Sequence, residues 1–134
     1  MIGKLVLTHG GLARELLAAA QVIAGSTEGF EALSLDWNDP FESARAKVAA
    51  AVARLDQGEG VLILTDMFGG TPCNVALTFQ RPGTVEILTG VNLPMVLRLA
   101  CQGSAVVVRA EGPDEQAAMD AVLALIANRF DEES

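Results

Sequence analysis

Val61-Leu62-Ile63-Leu64-Thr65 is a continuous apolar run of the kind found in strands buried on both faces. Its neighbours along the chain repeat one theme, a short apolar run followed by apolar residues at helical spacing. Lys4 to Thr8 is such a run, and after His9-Gly10-Gly11 come Leu12, Leu16, Leu17, Ala20 and Ile23 until Gly25. Phe30 to Leu35 reads as a second strand. Asn38-Asp39-Pro40 then offers a helix cap with proline at the first helical position, ahead of Phe41, Ala44, Val48, Ala51, Val52 and Leu55. After the break at Gly58 to Gly60 and the Val61 to Thr65 strand, Asp66 opens a Gly-Gly turn with Thr71 as cap and Pro72 starting a third helix. Val85 to Thr89 is the next strand, and Pro94 can start a short helix to about Cys101. Strands alternating with helices imply α/β, because right-handed crossovers place the helices on the faces of a parallel sheet. The expected architecture is a three-layer fold with four parallel strands in the order 2-1-3-4 and helices on both faces. One additional C-terminal strand at Ala105 to Arg109 is followed by a turn at Gly112-Pro113-Asp114 and a helix to Phe130.

The chain is read as a single domain, residues 1–134, with an atypical end over 103–134. At 51% apolar and 19% charged, its 134 residues can build one substantial core. Nine basic against seventeen acidic residues give a net charge of −8, the wrong sign for a protein that neutralises a nucleic-acid backbone. Residues 103–134 contain seven acids and two bases, and so carry most of that charge. Cys73 and Cys101 stand far apart without CxxC spacing, which argues against a disulfide framework or a zinc site and favours a reducing, cytoplasmic setting. Mean hydropathy is +0.37, yet no apolar stretch approaches the ~18 residues of a membrane helix, and MIGKLVLTHGG lacks a signal peptide's cleavage pattern. Any membrane link is therefore expected to go through a partner. One histidine and no tyrosine exclude multi-histidine metal catalysis, and leave Ser-His-Asp hydrolysis only with His9 as base.

In open parallel sheets the ligand site lies beyond the carboxyl ends of the strands. Three unusual segments end strands here, at His9 to Gly11, Asp66 to Pro72 and Gly90 to Pro94. The first two each precede a helix amino terminus, where unpaired N–H groups and the helix dipole favour an anion. They describe an anion pocket containing a histidine. A neutral imidazole attacks phosphorus well only if its tautomer is fixed, and a carboxylate accepting from one ring nitrogen frees the other lone pair. Asp66 is the natural orienter, and the scheme requires no metal or cofactor. Gly10, Gly69 and Gly70 would let backbone approach phosphoryl oxygens, with Thr71 adding a hydroxyl. Each element also has a plain structural reading. His9 could be a surface or capping residue, Asp66 a loop cap, Gly69-Gly70 a tight turn, Thr71-Pro72 a helix start and Asn92 a turn former.

THGGLARELL after the first strand, LTDMFGGTPCNVAL after the third and TGVNLPMVLRLA further on resemble the mannose-family enzyme IIA domain of the bacterial phosphoenolpyruvate:sugar phosphotransferase system. The likeness runs from Met1 to about Ala100. It implies that His9 accepts a phosphoryl group from phospho-HPr and passes it to a IIB domain, a histidine phosphotransferase activity serving sugar uptake, with a membrane IIC/IID permease downstream. The family's D-x-F/W-G-G-S/T-P motif falls on Asp66 to Pro72, so its aspartate matches Asp66 and its hydroxyl residue Thr71. Residues QGSAVVVRAEGPDEQAAMDAVLALIANRF depart from the family and resemble the last strand and helix of HPr, without HPr's own phosphorylatable histidine. Members of the family exchange a C-terminal strand between two subunits. A homodimer is therefore expected, with its mode put in question by this end. A regulatory protein whose His9 phosphorylation state controls partner binding is the alternative function, and a hydrolase using Asp66 or Thr71 ranks last.

Overall fold

A computed structural model of the chain describes residues 1–101. Its elements follow the order β1 (Gly3–His9), α1 (Leu12–Ala24), β2 (Phe30–Leu35), α2 (Phe41–Leu55), β3 (Val61–Thr65), α3 (Thr71–Leu77), β4 (Val85–Leu88) and α4 (Leu93–Ala100). The four strands form one sheet in the order β2-β1-β3-β4, and every pairing is parallel. This is the expected α/β topology. The strand expected at Ala105 to Arg109 and the helix expected to end at Phe130 lie outside the described residues.

Alternation along each strand divides the core between the two faces of the sheet. Leu62 and Leu64 of β3 join Val6 of β1 on one side, packed against Ala13 and Ala20 of α1 and Val96 and Leu99 of α4. Val61 and Ile63 join Leu5 and Leu7 on the other, against Ala44, Val48 and Ala51 of α2 and Val75 and Ala76 of α3. The sheet is thus covered on both sides, which is why all five residues of β3 are buried. Each fully buried Leu, Ile or Val contributes roughly 1.5–3 kcal/mol, so the two central strands anchor the sheet edge where the unusual loops emerge.

The helix starts differ in detail from the sequence reading. Pro40 is itself the N-cap of α2, with ψ at 147°, rather than its first residue, and no side chain caps that end. Asp39 instead accepts from Lys47 Nζ at 2.8 Å and from the Asp36 N–H at 3.3 Å. The extended ψ that the chain needs to turn out of the preceding loop is a conformation proline readily adopts. Similarly, Gly70 is the N-cap of α3, so Thr71 is its first helical residue rather than its cap and Pro72 its second. Asn92 is more than a turn former, because its Oδ1 accepts from the Met95 N–H at 2.9 Å and caps α4. Helix α1 receives its cap from the strand before it: the buried Thr8 hydroxyl accepts from the Ala13 N–H at 2.7 Å.

Candidate active site

Parallel pairing puts the carboxyl ends of all four strands at one edge of the sheet. Leu7 stands opposite Thr65, so the following residues of β1 and β3 leave the sheet side by side. That register brings His9 and Asp66, 57 positions apart in the chain, into direct contact. The His9 backbone N–H donates to Asp66 Oδ2 at 3.1 Å, and the ring Nδ1 lies 2.8 Å from the same oxygen. The other carboxylate oxygen accepts from the Met67 N–H at 3.0 Å. Both side chains are mostly buried, at 21% and 15% exposed.

Burial pushes the Asp66 carboxyl up. Hydrogen bonds from the His9 ring and amide, and the charge the ring can carry, outweigh that push and hold the carboxyl below its ordinary value of 3.8. Asp66 is therefore ionised at neutral pH and can only accept, which assigns the proton of a neutral imidazole to Nδ1 and leaves the Nε2 lone pair unshared. Pairing thus fixes the tautomer of the neutral ring and the direction in which its Nε2 lone pair points.

Gly70 closes the ring in from the side of β3. A Cβ built there would lie 2.6 Å from His9 Cε1 and 3.1 Å from Nε2, so the ring occupies space that any other residue would fill. Gly69 differs: its φ is +86°, and a Cβ there meets nothing within 4 Å, so its glycine serves the turn rather than the ring. Gly10, with φ at +54°, makes the corresponding turn out of β1. Thr71 is exposed at the start of α3. The Gly90 to Leu93 segment reaches the same sheet edge, where the Val91 N–H donates to the Thr65 carbonyl at 2.9 Å.

Sequence reasoning missed one neighbour of the ring. Trp37 stacks on His9 with centroids 5.1 Å apart and planes inclined by 23°, while remaining 78% exposed. The pairing of His9 with Leu35 at the last register position of β1 and β2 places it there. A lone tryptophan two residues past the end of a strand expected beside the histidine strand was the available signal.

The family described as the PTS system fructose IIA component matches residues 3–111. Among curated relatives, the mannose-specific EIIAB component of Escherichia coli strain K12 is 33% identical over 97 residues, which are 72% of this chain but only 30% of that protein. The chain thus spans less than a third of the length of that relative. The solved mannose/sorbose specific IIA subunit from Enterococcus faecalis is 27% identical with a TM-score of 0.68, covering 96% of this chain and 92% of its own. The HPr-like end is matched separately, by the phosphocarrier protein HPr of Cupriavidus necator, 70% identical over 30 residues, which are 22% of this chain and 34% of that protein. No helix among the described residues is long and apolar enough to cross a membrane. With its parallel 2-1-3-4 sheet and a match running across most of its length, the chain belongs to the IIA family of the phosphotransferase system.

Proposed function

We propose that this chain is a histidine phosphocarrier, taking a phosphoryl group from phospho-HPr on His9 and passing it to a IIB domain in sugar uptake through a IIC/IID permease. The observation that carries this reading is the 2.8 Å contact between His9 Nδ1 and Asp66 Oδ2. In the transfer, the Nε2 lone pair attacks phosphorus in line, the donor's P–N bond breaks, and its electron pair returns to the donor imidazole. The His9 ring keeps its Nδ1 proton and gains a positive charge, which the Asp66 carboxylate offsets. Delivery to the next carrier reverses these steps. Gly70 gives the ring its room, while Gly10, Gly69 and Thr71 shape and line the surroundings of the phosphoryl group.

The reading includes one cytoplasmic domain over residues 1–134, whose end at 103–134 supports association into a homodimer rather than the chemical step. Its test is onward transfer. Labelled phosphoenolpyruvate with enzyme I and HPr should charge the chain, and a mannose-type IIB domain added afterwards should discharge it. A chain that is charged but gives nothing to IIB would favour the regulatory alternative, in which the phosphorylation state of His9 controls binding to another protein.

A further inference from the structure

We propose that Trp37 is a positioning residue for His9, holding the imidazole in its attacking orientation and stabilising the ring while it carries the phosphoryl group; this rests on the phosphocarrier reading above. The hydrogen bond from Nδ1 to Asp66 acts in the plane of the ring, and a single in-plane contact resists tilt out of that plane poorly. The indole supplies the missing restraint. Its separation of 5.1 Å and inclination of 23° are those of an offset stack, and the absence of a side chain at Gly70 leaves the Cε1–Nε2 edge of the same ring its space. Carboxylate, indole and glycine backbone together leave Nε2 as the reactive atom.

The stack also has an electrostatic consequence. When Nε2 bonds to phosphorus while Nδ1 keeps its proton, the imidazole becomes cationic, and the negative face of an indole attracts a cation held over it. At an exposed site that attraction corresponds to about a two- to fivefold change in an equilibrium or rate that develops the charge. A large aromatic left 78% exposed contributes little to the core, while its ring stacks on His9. The loop that carries it is braced independently. The Asp39 N–H donates to the Asp36 carbonyl at 3.1 Å, and Asp39 is paired to Lys47 of α2 at 2.8 Å. Trp37 can therefore be replaced without dissolving its own support.

The test uses the full chain, with Trp37→Phe to keep an aromatic face and Trp37→Leu to keep bulk alone. Phosphoramidate is the small donor: its P–N bond breaks as His9 Nε2 bonds to phosphorus, and ammonia departs with the electron pair. Acid-labile phosphoryl on His9 should accumulate about two- to fivefold more slowly in the Leu variant, and near the wild-type rate in the Phe variant. Because Trp37 is the single tryptophan of the chain, its emission should also change as His9 is charged and stay constant in His9→Gln treated alike. A Leu variant as fast as wild type, a Phe variant as slow as Leu, or wild-type emission that stays constant as His9 is charged overturns the proposal. Labelling by phosphoramidate without labelling by phospho-HPr removes the donor assigned above while still deciding the role of Trp37. No labelling of His9 in any of the three chains overturns both.

Discussion

Replacing Gly70 with alanine isolates the geometry of the reacting ring from the stability of the fold. The Gly70 backbone has φ −81° and ψ 170°, extended values open to any residue, so the new methyl causes no backbone strain. It would, however, stand 2.6 Å from His9 Cε1, where carbon atoms prefer about 3.5–4.0 Å. The ring must retreat by about 1 Å, and with it Nε2. A displacement of that size at a reacting atom costs on the order of 10²-fold in rate. Single-turnover phosphorylation by phospho-HPr, followed by rapid quench, should therefore slow by about that factor, with circular dichroism and thermal midpoint close to wild type. Gly25→Ala is the counterpart. Its φ of +83° at the end of α1, with open space around the added Cβ, costs about 1–2 kcal/mol of stability and should leave the rate nearly unchanged. Wild-type kinetics in Gly70→Ala, or equal slowing in both variants, would refute the idea that this glycine exists to admit the ring.

Asp66→Asn should fold yet accept phosphate slowly, because an amide can donate to the ring and favour the wrong tautomer. The comparable change in the serine-protease triad costs about 10⁴-fold, and less is expected here, since phosphoryl transfer rests mainly on positioning and charge; unchanged single-turnover rates would remove Asp66 from the mechanism. The depressed Asp66 carboxyl also links to stability: its contribution is fully present above the ordinary value of 3.8 and is lost as pH falls below it through the lower folded-state value. Urea unfolding should accordingly show a wild-type advantage over Asp66→Asn that shrinks as pH falls below 3.8; an advantage lost already at neutral pH would contradict the assignment. Thr8→Val should cost about 1–2 kcal/mol in the same assay, since it strips the Ala13 N–H of its partner at the start of α1. Ending the chain after Cys101 should lower stability and association, and a fully stable, folded monomer would show the end to be dispensable.

The strands were legible because a parallel sheet covered on both faces demands unbroken apolar runs, and Val61 to Thr65 is the plainest of them. The His9–Asp66 pair was legible for a related reason. Strand ends of a parallel sheet share an edge, so polar residues closing two strands are candidates for contact. What remained hidden depended on register and on backbone detail. Trp37 sits on the ring because β2 pairs with β1 through His9 and Leu35, so its place follows from the register of that pairing and its position just past the end of β2. Thr8 lies inside an apolar run, where its hydroxyl looks like a core misfit rather than a helix cap. The one-residue offsets at Pro40 and Thr71 follow from ψ of 147° and 170° at Pro40 and Gly70, and the amino-acid types allow either position. Gly69 and Gly70 read alike in sequence, yet one accommodates the turn and the other the imidazole.

If His9 is the phosphoryl acceptor as proposed, Nε2 is the atom that carries phosphate. Chain labelled with ¹⁵N in the imidazole, incubated with phosphoenolpyruvate, enzyme I and HPr, can be read by nitrogen NMR for the phosphorylated ring atom and by intact mass for the number of groups. One acid-labile phosphoryl on Nε2, absent from His9→Gln, is the expected result. Phosphate on Nδ1, or a phosphorylated His9→Gln chain, would contradict the account.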